Sequence, residues 1–149
     1  MSPIINLFGH EVKNYELHSE ISIPNFDNMN ETFLPVGLYA IEPFATSGGG
    51  KIHDGNPSGI YRLIDEKNIR SSIAREVLAL IKKDYLSLPF CSRWIVKNLG
   101  SKAMIGLKQL EENGNLHHYA ELIENSHGKV AQTEHTILVE EDGVIVTTK

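Results

Sequence analysis

Apolar residues recur every four positions at Ile69, Ile73, Val77, Ile81 and Tyr85, with Ala74 and Leu78 beside them. That spacing puts one apolar stripe on a helix, which Leu88-Pro89 closes. A second helix is expected from Lys102 to Asn113, with Ser101 as its N-cap and Gly114 just past its end. Met104, Leu107 and Leu110 would face inward. Before this helical block, residues 36–45 read VGLYAIEPFA, the apolar run of a buried strand opened by Gly37 and stopped by Pro43. The following TSGGGKIHDGNPSG is loop-forming. Residues 129–149 predict a β-hairpin: VAQTEHTILV alternates, Glu141-Asp142-Gly143 turns, and VIVTT returns. Alternation places Gln132, Glu134, Thr136 and Leu138 on one face and Ala131, Thr133, His135, Ile137 and Val139 on the other. The pattern is that of an α+β chain. Strands and loops fill residues 1–61, a helical segment follows, and the chain ends in a hairpin.

Composition narrows the class. With 149 residues, 41% hydrophobic and 22% charged, the chain can form one globular domain with a core. It contains no run of about 18 apolar residues, so no membrane span is expected. MSPIINLFGH lacks a basic segment followed by an apolar stretch, so it does not read as a signal peptide. Cys91 is the only cysteine, which fits a reducing, cytoplasmic setting. The net charge of −5 argues against broad nucleic-acid binding. Residues 62–108 nevertheless carry ten Lys or Arg against four acids, or +6, and leave −11 elsewhere.

The stretch GHEVKNYELH holds two histidines, His10 and His18. Eight residues apart, they lie roughly 26 Å apart on a straight strand and about 12 Å apart on one helix. They can share a site only if the chain turns between them, near Asn14; otherwise they have separate roles. Glu42 sits in an apolar strand. Such a carboxylate is either turned to water from an edge or held by a partner or cation. Glu134 lies in the hairpin with polar neighbours on its face, which fits a solvent-facing position. One His and two strand-borne Glu are also a donor set for a borderline or hard cation. SGGGK is not a phosphate loop, because Ala45 and Ile52 stand where that motif needs Gly and Ser or Thr; it reads as a flexible loop. His53, His117, His118 and His127 read as solvated, and Cys91 as a packed residue rather than a nucleophile.

Taken together, GHEVKNYELH, SIPNFDN, AIEPFATSGGG, LPFCSRW and AQTEHTILV resemble the methionine aminopeptidases of type 2, the archaeal and eukaryotic-cytosolic kind. Their order and spacing match over essentially the whole chain. The resemblance implies half of a pita-bread fold. Residues 1–61 and 115–149 would form the metallopeptidase body, and 62–114 a helical, winged-helix-like insertion. It implies two divalent metal ions (Co, Mn, Fe or Zn), with His10, Glu42 and Glu134 as ligands. Glu42 would also shuttle the proton and Glu134 would bridge the ions. His18 would contact substrate and steady the tetrahedral intermediate, and Leu17, Pro89 and Tyr119 would line the methionine side-chain pocket. The substrate implied is a nascent polypeptide with N-terminal Met.

Two aspartate ligands of that family belong to its N-terminal half, and Asp27, Asp54, Asp65, Asp84 and Asp142 lie in no matching motif. The expectation is a chain matching the C-terminal half only, inactive until a partner half supplies two Asp. The alternative is a non-catalytic relative that binds RNA or ribosomes through the basic insertion.

Overall fold

The computed structural model covers residues 1–149. In chain order the elements are β1 Ser2–Pro3, β2 Phe8–Val12, β3 Ser22–Pro24, β4 Gly37–Ile41, β5 Phe44–Thr46 and β6 Ile52–Leu63. There follow α1 Ser72–Asp84, β7 Phe90–Cys91, α2 Ser92–Leu99, α3 Ala103–Glu112, β8 Leu116–Glu124, β9 Val130–Gln132, β10 His135–Val139 and β11 Val144–Val146. The chain divides into two units, residues 1–54 with 122–149 and residues 55–121. β6 and β8 each contain a boundary, so the division falls inside strands rather than in loops.

The first unit contains no helix. Its principal sheet has the order β11-β10-β4-β2-β3, and a smaller one has β1-β5-β9. The strands of both sheets pair antiparallel. The expected apolar strand over 36–45 is interrupted at Glu42-Pro43. Proline cannot donate to a ladder, so β4 ends at Ile41 and β5 resumes at Phe44 in the other sheet. The hairpin turn is present, with β10 paired to β11 and the Glu140 amide donating to the Gly143 carbonyl at 2.8 Å, but the expected first arm breaks at Thr133-Glu134, so that residues 130–132 form β9 in the smaller sheet.

The second unit holds the apolar core. Ala74, Val77 and Ile81 of α1 pack with Ile95 of α2, Ala103, Leu107 and Leu110 of α3, and Tyr61, Phe90 and Leu116. Ser71 caps α1, accepting the Ala74 amide at 3.3 Å. Met104 is 46% exposed, whereas Ala103, Leu107 and Leu110 are fully buried. Positions 103, 107 and 110 follow the helical period, while steps of three from Met104 rotate off it. The expected cap at Ser101 is absent; Lys102 occupies that position without a side-chain bond. Helix α2 and strand β8 are not legible in the sequence, and the stretch IHDGNPSG, expected to be a loop, instead opens the twelve-residue strand β6. In β8, His118 is not solvated. It stacks on Tyr61 at 3.9 Å, accepts the Gly59 amide and meets Glu111.

Gly106 sets how closely α1 and α3 approach. A Cβ there would lie 2.8 Å from Val77 Cγ2 and 3.2 Å from the Ile73 carbonyl oxygen. Gly106→Ala should therefore lower stability by about 1–3 kcal/mol, and Ser71→Ala by about 1 kcal/mol through the lost cap. Chemical denaturation of each variant measures both. A neutral Gly106→Ala would show that the helix contact yields.

Candidate active site

The two opening histidines are brought together by a turn. Lys13 and Glu16 form an isolated bridge, and Tyr15 takes a left-handed conformation at φ 58°. The chain then returns, with the Ser19 amide donating to the Glu11 carbonyl and the Glu11 amide to Ile21. The His10 and His18 rings end 4.3 Å apart, edge to face. Of the two alternatives open in the sequence, the turn near Asn14 is the one adopted.

Register brings the carboxylates toward His10. His10 lies opposite Ala40 across β2 and β4, and Thr136 opposite Ala40 across β10 and β4. Residues two apart share a face, so Glu42 follows Ala40 on the His10 side. The pairings His135↔Ile41 and Phe44↔Gln132 keep one register through the break. Glu134 therefore falls opposite Glu42, as directly facing residues do in an antiparallel pair. Gly9 makes the approach possible, because a Cβ there would overlap the Ala40 carbonyl oxygen.

His10 is 7% exposed, and its Nε2 meets Glu42 Oε1 at 2.9 Å. Its Nδ1 lies 3.2 Å from the Glu11 carbonyl, which can only accept. Nδ1 thus carries a proton, and a single further proton serves the Nε2–carboxyl contact. A cation at Nε2 and the carboxylate would replace that proton. Burial raises the Glu42 proton affinity above the ordinary carboxylate value, and the Glu134 charge raises it further; His10 opposes both.

The structure brings together His10, His18 and Glu42, and places Glu134 near enough for its charge to act on Glu42. Glu134 itself is exposed on the hairpin, within 3.5 Å of the Gln132 amide group. No three His, Cys, Asp or Glu side chains are gathered closely enough to hold an ion unaided. The donor chemistry suits a divalent cation, but three donors do not close a dinuclear cage. Leu17 and His18 belong to the first unit, Pro89 and Tyr119 to the second. There Pro89 lines a cleft of about 320 Å³ with Phe90 and Trp94, and Tyr119 a separate one beside His118.

The folded chain holds the Glu42 proton more tightly than the unfolded chain does. Stability is therefore lost as pH rises from the ordinary carboxylate range through the raised folded value. Glu134→Gln should lower the Glu42 pKa and reduce that loss, and His10→Ala should raise it. Side-chain carboxyl NMR titration reads the shift. An unchanged Glu42 titration in Glu134→Gln would show that the two charges do not interact.

No family model matches the chain. Individual relatives do. The methionine aminopeptidase of Methanocaldococcus jannaschii is 45% identical over 148 residues, covering 99% of this chain and 50% of that one. That of Methanothermobacter thermautotrophicus is 40% identical over 151 residues, with 100% and 50% coverage. Saccharolobus solfataricus has another at 39% over 152 residues. Among solved structures, a thermophilic Arx1 superposes with a TM-score of 0.78 at 16% identity, covering 97% of this chain and 40% of that one; this likeness is one of fold. The chain is thus homologous to archaeal methionine aminopeptidases and spans about half the length of the curated relatives it matches.

Proposed function

We propose that this chain supplies the C-terminal half of a type 2 methionine aminopeptidase of pita-bread architecture. The reading assigns it the removal of initiator methionine from nascent proteins in the cytoplasm. The observation that carries it is the register that sets His10, Glu42 and Glu134 on one face of adjacent strands, in a chain 45% identical to such an enzyme. His10, Glu42 and Glu134 would hold divalent metal, with two aspartates from a second half completing the set. The bound ions would lower the pKa of water toward neutrality and anchor the substrate's free amine.

The chain's own residues then divide the work. Glu42, whose proton affinity is already raised, accepts the proton of the attacking water and passes it to the leaving amine. His18, edge-on to His10, donates to the oxyanion as it develops. Leu17, next to His18 in the first unit, would offer the methionine side chain an apolar surface that suits an unbranched thioether. Residues 62–114 form the winged-helix-like insertion in this reading.

RNA or ribosome binding through the basic insertion ranks second. Lys67, Lys82, Lys102 and Lys108 each contact a carboxylate. Their charge is therefore locally offset where an RNA phosphate would need it free. No helix is long and apolar enough to cross a membrane.

The test combines this chain with a separately expressed N-terminal half of the Methanocaldococcus jannaschii enzyme and follows methionine release from a Met-Ala-Ser peptide with Co²⁺ or Mn²⁺. The pair should be active and either half alone inactive. Glu42→Gln should lower the rate by about 10²–10⁴, and chelation should abolish it. Robust release by this chain alone, or none by the pair, would refute the proposal.

A further inference from the structure

Glu124 is the only fully buried carboxylate in the chain, at 4% exposure, and the chemistry above does not use it. It has no cationic partner. Its Oε1 accepts the amides of Gly49 at 2.7 Å and Gly50 at 3.2 Å. Its Oε2 accepts those of Ser126 at 2.7 Å and Gly128 at 2.8 Å. Four backbone donors from two loops thus converge on one side chain. The Gly128 amide leads in holding its pKa below the ordinary carboxylate range, and the amides of Ser126, Gly49 and Gly50 add to the effect against burial.

The glycines of SGGGK are therefore a fitted cradle rather than a slack connection. A Cβ at Gly48 would overlap the Glu124 carboxylate, and one at Gly128 would overlap the Gly48 backbone. The two loops are laced further. Thr46 Oγ1 donates to the Lys129 carbonyl at 3.1 Å and accepts the Gly48 amide at 2.9 Å. The Ser47 amide donates to the Lys129 carbonyl, and the Lys129 amide to Ser47 Oγ. The first loop follows β5 and the second leads into β9, and the pairing of these strands fixes Phe44 opposite Gln132. One step further on, the Thr133 amide donates to the Pro43 carbonyl at 3.3 Å. The next facing pair is Glu42 and Glu134.

β5 and β9 have only three residues each, and proline interrupts the ladder at Pro43. So short a pairing gives little register specificity of its own. The β4–β10 ladder sets the register only as far as Ile41 and His135, before the proline break. We propose that Glu124 is a positioning residue: by tying loop 46–50 to loop 124–129 it holds β5 against β9 beyond that break, so that Glu42 and Glu134 are held facing from both sides. The importance of that register for hydrolysis rests on the reading above; the register itself does not.

Cross-linking tests this directly. Facing residues of an antiparallel pair are near enough to form a disulfide. In the full chain carrying Cys91→Ser, Glu42→Cys and Glu134→Cys, mild oxidation should join the two introduced thiols. Adding Glu124→Gln, which turns one acceptor oxygen into a donor group, should slow cross-linking at least roughly fivefold while far-UV circular dichroism is retained. Gly48→Ala should do the same, and the two changes together should not multiply. Tyr39→Phe removes the 3.0 Å hydroxyl bond to the Pro35 carbonyl in the same unit and should leave the rate unchanged. An unchanged rate in folded Glu124→Gln overturns the proposal, and so does an equal slowing by Tyr39→Phe.

Should Glu124→Gln not fold, hydrogen exchange of the unsubstituted chain decides the matter. The Gly49, Ser126, Gly128 and Thr133 amides should open as one cooperative unit, whereas independent opening of Thr133 overturns the proposal. Cross-linking and exchange do not depend on peptidase activity. A register that depends on Glu124 in a pair of halves that releases no methionine would sink the functional reading and leave the positioning role standing.

Discussion

The arrangement of this chain depends on one electrostatic constraint, two carboxylates facing each other across a strand pair. Glu42 is half-buried and its neighbour Glu134 carries the same charge. Water would separate them if the strands could slip. They cannot slip freely, because β4 is paired on both sides, to β2 and to β10. Backbone hydrogen bonds therefore hold side chains where their charges alone would not rest. His10 relieves part of the cost through its contact with Glu42. A cation would relieve it more fully, since it attracts both carboxylates and displaces the shared proton.

The two units meet their stability requirements differently. Residues 55–121 bury a continuous apolar cluster under three helices. The first unit buries few large apolar side chains, chiefly Ile4 and Tyr39, and relies instead on ladders and loop-to-loop hydrogen bonds. Its surface shows Phe33 at 94%, Val36 at 63% and Val144 at 59% exposure. Phe33 and Val36 lie in the loop before β4 and Val144 lies in the edge strand β11. That exposure agrees with a chain that spans about half the length of its relatives. The polar Glu124 cradle then has a clear physical purpose. Where little apolar burial fixes the loops, four amides on one carboxylate do so.

Much of the fold could be read locally. The α1 stripe and the terminal hairpin each rest on a periodicity contained in a short window. The residues missed follow from the same fact. α2 is only eight residues long, and β8 is rich in polar side chains, so neither shows a clear period. Glu124 does not stand out in the sequence, because only half of its donors, the Ser126 and Gly128 amides, are local, while Gly49 and Gly50 lie 75 and 74 residues away. The only local signal was the excess of glycine at 48–50, whose reason is a carboxylate far along the chain.

The sequence by itself determined the element types, the family resemblance and the residues capable of metal chemistry, since each depends on side-chain identity and near neighbours. Tertiary structure alone decided that His10 turns its Nε2 to Glu42, that Glu134 faces Glu42, and that a buried glutamate clasps the intervening loops. Those outcomes come from contacts between segments some thirty to ninety residues apart, and such contacts are settled by hydrogen-bond register rather than by any property of one segment.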